Sequence, residues 1–392
     1  MLTRSSVVSY IEFSLEFGGP GETMDDLGAQ EQAVLDLIAA NPFAGQQDIA
    51  TALGIARSTV AAHIVQLINK GYILGRGYLL PASKRMVCIG GAVLDRKYHA
   101  RKDLIFETSN PVDGYRSFGG VARNVTENLA RLGVDISFVS IVGEDETGRS
   151  LVRHLRDLGA DVSQVITTTE RPTAEYAAIL DRNNDLVLGI ADMEIFDLFS
   201  PSYLDRFWPH LASATWVFID CNLPAATIAA LISRKQGARF KLAVDTVSSP
   251  KSARLPKDLT GIDLLFANHD EANTILGIAD ADKRLTPKEA AAALRAAGAG
   301  EVIVTMGAHG FAIATESGVT TMRSVPAQAV DITGAGDAMI AGTLYKVLSG
   351  DPVAHAVRTG ALLATLTTES ESSVHPDLSP RLLTAGMHRI PA

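Results

Sequence analysis

Cysteine is nearly absent: only Cys88 and Cys221 stand in a chain of 392 residues, too few for a disulfide framework or a cysteine-rich metal site. Each lies in an apolar run, so two buried, reduced thiols in a cytoplasmic protein are expected. No uninterrupted apolar run reaches the roughly 18 residues that a membrane-spanning helix needs. The stretch from Met1 to Gly19 lacks the basic start and long apolar centre of a secretion signal. Glu12 and Glu16 break it, and Gly18-Gly19-Pro20-Gly21 follows, so residues 1–28 read as a loosely ordered leader. A positive balance is missing as well: 35 Lys and Arg against 44 Asp and Glu leave a net charge of -9. That excludes a protein coated in nucleic acid, but not a small DNA-reading module, because attraction depends on local charge. The phosphate-cradling GxxxxGK[ST] string is also absent, which closes the P-loop route to nucleotide binding. What remains is an ordinary globular composition, with 47% hydrophobic and 20% charged residues, in a chain long enough for two domains of unequal size.

The first of these is small and helical. Val34, Leu35, Leu37 and Ile38 form an apolar stripe that Asn41-Pro42 ends, since proline disfavours helix in the residue before it. A second helix fits Gln46 to Leu53, Gly54 makes a turn, and a third opens at Arg57-Ser58-Thr59-Val60 and runs to about Lys70. Tyr72 to Leu80 then reads as a hairpin around Gly75-Arg76-Gly77. Three helices and a hairpin are the winged helix-turn-helix plan. Residues 29–80 resemble bacterial regulators of that kind. The resemblance implies that Arg57, Ser58, Thr59 and His63 face DNA and that Arg76 sits at the wing. Arg57, Lys70 and Arg76 are balanced by Glu31, Asp36 and Asp48, so phosphate neutralisation is weak, and a docking or dimerisation module is the alternative.

Beyond the polar hinge Pro81-Ala82-Ser83-Lys84-Arg85, apolar runs alternate with helical stretches. Strands are expected at Met86–Gly90, Ile136–Val142, Trp216–Ile219, Lys241–Val244, Leu264–Ala267 and Glu301–Thr305. Helices fit Val121–Leu132, Gly148–Leu158, Ala225–Lys235 and Pro287–Ala297. Such alternation implies a mostly parallel sheet covered on both faces, with ligands beyond the carboxyl ends of its strands. Two segments break the pattern. Residues 95–118 are polar, and the runs near 173–190 flank Asp181-Arg182-Asn183-Asn184-Asp185, a hairpin signal. Extra strands there fit a flap that keeps water from a reaction, or ordinary surface hairpins or a dimer contact.

Gly334-Ala335-Gly336-Asp337 precedes a long apolar helical stretch. Small residues at a helix start let backbone N–H groups approach an anion, and an aspartate there can take a proton from an attacking hydroxyl. Taken alone the string is weak, since glycines end loops and aspartates cap helices.

The longer string Asp331-Ile332-Thr333-Gly334-Ala335-Gly336-Asp337 resembles the second signature of the ribokinase-like (PfkB) family of carbohydrate and nucleoside kinases. Gly119-Gly120-Val121-Ala122-Arg123-Asn124 resembles the first, in the family's order, and the likeness covers about residues 85–390. It implies a doubly wound, mostly parallel α/β sheet with a small β lid over residues 82–392, after a winged helix-turn-helix domain at 29–81. It implies ATP and Mg²⁺ as cofactors, Asp337 as the base, and Gly334, Ala335 and Gly336 as the anion hole. Asp95, Gly119, Gly120 and Asn124 would hold the acceptor. Asn268 and Glu271 of Asn268-His269-Asp270-Glu271 would organise Mg²⁺ through water. Thr305, Gly307 and Gly310 would line the nucleotide, and Asp331 and Thr333 would open a loop that holds K⁺ in some relatives. Ile332 departs from the threonine often found there.

Within the family, Thr108-Ser109-Asn110-Pro111, Asp192-Met193 and Asp245-Thr246-Val247-Ser248-Ser249-Pro250-Lys251 resemble pseudouridine kinases, as does the N-terminal fusion. The implied acceptor is the 5′-hydroxyl of pseudouridine, with Asp192 and Met193 near it. Ribose, fructose or another nucleoside are the alternatives, as is a regulator whose kinase-like domain only senses a ligand. A homodimer without membrane attachment is expected.

Overall fold

The computed structural model describes residues 27–42, 44–74 and 84–391, and their contacts divide after Ile64 into two compact units. The first is built on helices Ala29–Ala40 and Gln46–Leu53 and the start of helix Arg57–Asn69, matching the three expected helices. Val34, Ile38, Ile49 and Val60 are buried; Val34 and Ile38 are the i, i+4 pair that a helix stacks on one face. Arg57 and Ser58 are exposed and Thr59 is half-buried, while His63 sets Nε2 3.4 Å from Gln30 Oε1. Arg76 and residues 75–80 of the expected hairpin lie outside the described residues.

The second unit is an α/β fold. Its strands are β1 (Arg85–Ile89), β2 (Val93–Ala100), β3 (Val112–Gly119), β4 (Asp135–Val139), β5 (Ile141–Gly143), β6 (Ile166–Thr168), β7 (Glu175–Leu180), β8 (Leu186–Asp192), β9 (Trp216–Asp220), β10 (Lys241–Asp245), β11 (Leu264–Asn268), β12 (Glu301–Thr305), β13 (Phe311–Thr315) and β14 (Gly318–Met322). The main sheet runs β14-β13-β12-β11-β10-β9-β1-β4. It is parallel from β4 through β12, and β13 and β14 close one edge as an antiparallel hairpin.

Alternation on each strand feeds two cores. Met86 and Cys88 pack on one face with helices Val121–Arg131, Ala335–Val347 and Val353–Thr368. Val87 and Ile89 pack on the other with helices Tyr203–Ala212, Ala225–Lys235 and Pro287–Ala296. Strands buried on both faces show as continuous apolar runs, which is why they were legible. Cys88 and Cys221 are both buried and free.

One expected strand is divided. Ile136–Val142 breaks at Ser140, whose hydroxyl donates to the Gly90 carbonyl at 2.6 Å. Residues before the break join the main sheet and those after it pair with β6. The two pattern-breaking segments form one four-stranded sheet, β3-β2-β7-β8. Its hairpin is closed by Asp181, whose Oδ1 accepts from the Asn183 and Asp185 amides. Among the described residues no single helix is long and apolar enough to cross a membrane.

Candidate active site

The polar residues gather at the carboxyl ends of the parallel strands. Register places Asp220 at the end of β9 beside Asp245 at the end of β10, and Asn268 at the end of β11 beside Thr305 at the end of β12. Between β1 and β2 the chain turns through Gly90-Gly91-Ala92 and carries Asp95 upward on the lid sheet.

Asp337 lies in the first turn of helix Ala335–Val347, where backbone N–H groups have no intrahelical acceptor. The residue before this helix, Gly334, has φ +80, and a Cβ there would lie 2.0 Å from the Ser373 carbonyl oxygen, so only glycine fits. Of the expected anion-hole amides, Ala335 donates to the Ile332 carbonyl at 3.3 Å. Burial pushes the Asp337 carboxyl up to about 7; the Asn124 amide, which donates to Oδ2 at 2.7 Å, and Arg123 pull it down, while Asp220 and Asp95 add to the rise. A carboxylate that titrates near neutrality is suited to general-base work.

Asn124 is itself fixed. Arg123 donates from Nη1 to Asn124 Oδ1 at 2.8 Å and to the Phe118 carbonyl at 3.0 Å, which turns the Asn124 N–H groups toward Asp337. Arg123 pairs with Glu127, which also receives Arg131 and His154. Burial raises the Glu127 carboxyl, but those donors outweigh it and hold it at about 2. The chain Glu127–Arg123–Asn124–Asp337 thus orients the base from behind.

The surroundings of Asp95 are close-packed. A Cβ on Gly119 would fall 1.9 Å from Asp95 Oδ2, so the glycine makes room for that carboxylate. Burial pushes Asp95 up to about 6 against the pull of Lys97 and Arg123. Gly120 has φ +96 and begins helix Val121–Arg131. Asp192 ends β8 on the exposed lid edge. Met193 follows, and its Sδ lies 3.2 Å from Lys251 Nζ, which also donates to Asn222 Oδ1 at 2.5 Å.

At the end of β11, Asn268 and Glu271 bond reciprocally. Asn268 Oδ1 accepts from the Glu271 amide at 2.9 Å, and Glu271 accepts from both the backbone and the side-chain amide of Asn268 at 2.8 Å. This is a capping box. Thr246 donates to Glu271 Oε2 at 2.6 Å. The Asp245 carboxyl is pushed well above the ordinary range by burial and by the charges of Glu271 and Asp337, an accumulation that a divalent cation nearby would relieve. Among the described residues no three acidic, histidine or cysteine side chains converge as a metal cluster. Gly307 and Gly310 flank a short turn after β12, both with positive φ. Asp331 Oδ1 accepts from the Thr333 amide and hydroxyl, and its Oδ2 receives the Lys97 ammonium at 2.5 Å.

Comparison with known proteins decides the family. The model of the pfkB family carbohydrate kinases matches residues 83–379. The chain belongs to the pfkB family. It is therefore a sugar or nucleoside kinase, a phosphotransferase with an alcohol acceptor. A winged helix-turn-helix DNA-binding model matches residues 29–73. The kinase is 31% identical to the uncharacterized sugar kinase YeiI of Escherichia coli over 89% of this chain and 96% of that protein. It is 30% identical to the Escherichia coli pseudouridine kinase over 75% of this chain and 93% of that one. A solved carbohydrate kinase from Agrobacterium tumefaciens superposes with TM-score 0.69 at 30% identity, covering 78% of this chain and 98% of that one.

Three contributors to the kinase site were not anticipated from sequence. Asp220 is fully buried and accepts from the Gly91, Ala122 and Asn222 amides at 2.9 Å each, pinning the turn after β1 to the helix that carries Asn124. Glu127 lies four residues after Arg123, a spacing that signals a helical ion pair. Lys97 gave no local signal, because its partner lies 234 residues away.

Proposed function

We propose that this kinase transfers the γ-phosphoryl group of ATP to the 5′-hydroxyl of pseudouridine, with Asp337 as general base. The observation that carries the reading is the Asp337 carboxyl, held at about 7 and hydrogen-bonded to Asn124 at the start of a helix. Asp337 takes the hydroxyl proton as the oxygen attacks phosphorus, and the helix start with Gly334, Ala335 and Gly336 faces the transferring group. Asp95, Gly119, Gly120 and Asn124 hold the acceptor, with Asp192 and Met193 at its far side. Thr305, Gly307 and Gly310 receive the nucleotide. Asn268 and Glu271 would hold Mg²⁺ through water, and the ion would supply neutralisation of phosphate charge. The choice of pseudouridine is supported by the likeness to the Escherichia coli pseudouridine kinase; ribose, fructose and other nucleosides are the competing acceptors. ATP consumption measured against pseudouridine, other nucleosides, ribose and hexoses tests the reading, and turnover of a hexose above pseudouridine would overturn the acceptor.

The outer strand of the lid supports a homodimer. Leu188 and Ile190 register opposite Ile179 and Ala177, on the lid face away from Asp95, and are 50% and 51% exposed. The N-terminal match and the exposed Arg57 and Ser58 support DNA binding through residues 29–80, with Thr59, His63 and Arg76 as the further contacts. A ligand-responsive regulator is the competing whole-protein reading. Arg57→Ala should weaken retardation of DNA from the chain's own upstream region, by roughly one phosphate contact's share of the salt dependence; unchanged binding would sink the assignment.

A further inference from the structure

Among the described residues, Lys97 is the one charged side chain of the lid whose polar partners lie in the loop before the helix of Asp337. It stands two positions along β2 from Asp95, so the two side chains share a face of the lid sheet, while Arg96 between them points the other way and pairs with Glu175 at 2.6 Å. The Lys97 ammonium donates to Asp331 Oδ2 at 2.5 Å and to Thr333 Oγ1 at 3.0 Å. The other Asp331 oxygen is already taken by the Thr333 amide at 2.8 Å and hydroxyl at 2.6 Å. Every oxygen of the Asp331 carboxylate is therefore occupied by a donor from the protein, and the loop carries its own positive charge.

A monovalent cation bound by Asp331 and Thr333 would have to displace that ammonium. The residues present do not fit K⁺ while Lys97 is in place. An ammonium group is a compact point charge with three donors, and it satisfies the carboxylate and the hydroxyl that a bare cation would otherwise hold. We propose that Lys97 supplies internally the cation of this loop, so that the kinase works without K⁺ and the lid is tied to the anion-hole loop by the same contact. Burial raises the Asp331 carboxyl, but the Lys97 and Thr333 donors outweigh it and hold the group below the ordinary range. The functional half of this inference rests on the kinase reading above; the binding half does not.

The test compares K⁺ with tetramethylammonium, a cation too large for a carboxylate–hydroxyl site, at matched ionic strength on the full chain. Two quantities are read: melting temperature, and phosphoryl transfer to whichever acceptor the substrate panel identifies. For the unmodified chain both should be the same in either salt, with rates within about twofold. Lys97→Ala opens the site: its rate in tetramethylammonium should fall about tenfold, the worth of one charge-assisted contact, and K⁺ or NH₄⁺ should restore most of it and raise its melting temperature. Lys97→Arg keeps the charge and should remain indifferent to K⁺. A several-fold activation of the unmodified chain by K⁺, or a K⁺-induced rise in its melting temperature equal to that of Lys97→Ala, would overturn the proposal. So would a Lys97→Ala variant that folds and shows no response to K⁺. If Lys97→Ala does not fold, the unmodified chain and Lys97→Arg decide. If no acceptor in the panel is phosphorylated, the kinase assignment fails while the melting comparison still answers the question of the cation.

Discussion

Replacing the base should both silence and stabilise the protein. An unfolded aspartate titrates near 3.9, whereas the folded Asp337 is pushed up to about 7. The folded state therefore holds the proton more tightly than the unfolded chain does. It follows that Asp337 costs nothing below about pH 4, that its cost grows as pH rises, and that the cost is complete above about pH 7. The difference is about three powers of ten in proton affinity, or roughly 4 kcal/mol. Asp337 is only half-buried, so water reaching its open side halves the figure to about 2 kcal/mol. Asp337→Asn removes the charge, and its side-chain oxygen still accepts from the Asn124 amide. At pH 8 the variant should melt about 4 °C above the unmodified protein, and the gap should close as pH falls toward 4. Over the same range phosphoryl transfer should drop by about 10² to 10⁴, the usual worth of a positioned base, while ADP still binds. Scanning calorimetry at several pH values with coupled ATP assays checks both halves. A variant that melts no higher than the unmodified chain at pH 8 would refute the electrostatic reasoning, and turnover within a few-fold would refute the assignment of the base.

Two other substitutions probe the surroundings of Asp337. Gly119→Ala places a Cβ 1.9 Å from Asp95 Oδ2, so it should reduce kcat/KM for the acceptor by about tenfold or more and leave ADP affinity unchanged; isothermal titration and steady-state kinetics separate the two. Arg123→Met removes the cation that lowers Asp337 and the donor that orients Asn124. The acid limb of its pH–rate profile should move upward from about 7, and a profile in the original place with a lower maximum would show that Arg123 is only structural.

How much of this was legible in sequence depends on how far apart the partners lie. Runs such as Trp216–Ile219 and Leu264–Ala267 announce strands because burial on both faces leaves no room for polar residues. The lid hairpin was readable from Asp181 to Asp185, since aspartate and asparagine bond their own backbone two residues on. Asp220 was not readable, although it sits at the end of a recognised strand. Two of its three donors come from residues 91 and 122, and the nearby Asn222 amide alone does not distinguish it from a solvent-facing strand end. Asn268 and Glu271 show the opposite ambiguity: the same spacing serves a metal motif and a capping box, and the geometry makes the capping box. Ser140 broke an apolar run that looked continuous because its hydroxyl is satisfied by a carbonyl fifty residues earlier.

The lid explains why these long-range contacts carry so much of the site. A sheet gains stability from an apolar face packed on a core, yet β8 is exposed along its whole length and the middle strand β2 is largely half-buried. Burial alone therefore does not fix where the lid stands, and Asp95 rides on it. What holds β2 in register with the site is specific: its start at Val93 and Leu94, which are buried, the close approach of Gly119 to Asp95, and the reach of Lys97 to Asp331 and Thr333. The first two anchor the root of the strand, and only the third crosses to the loop that leads into Asp337. Alternation along β2 then couples the two ends of the reaction, since Asp95 and Lys97 must face the same way. Any motion that lifts Asp95 from the acceptor also withdraws the ammonium from the loop before the base. If Asp95 holds the acceptor as proposed, an acceptor that engages it should also order the loop that Lys97 contacts.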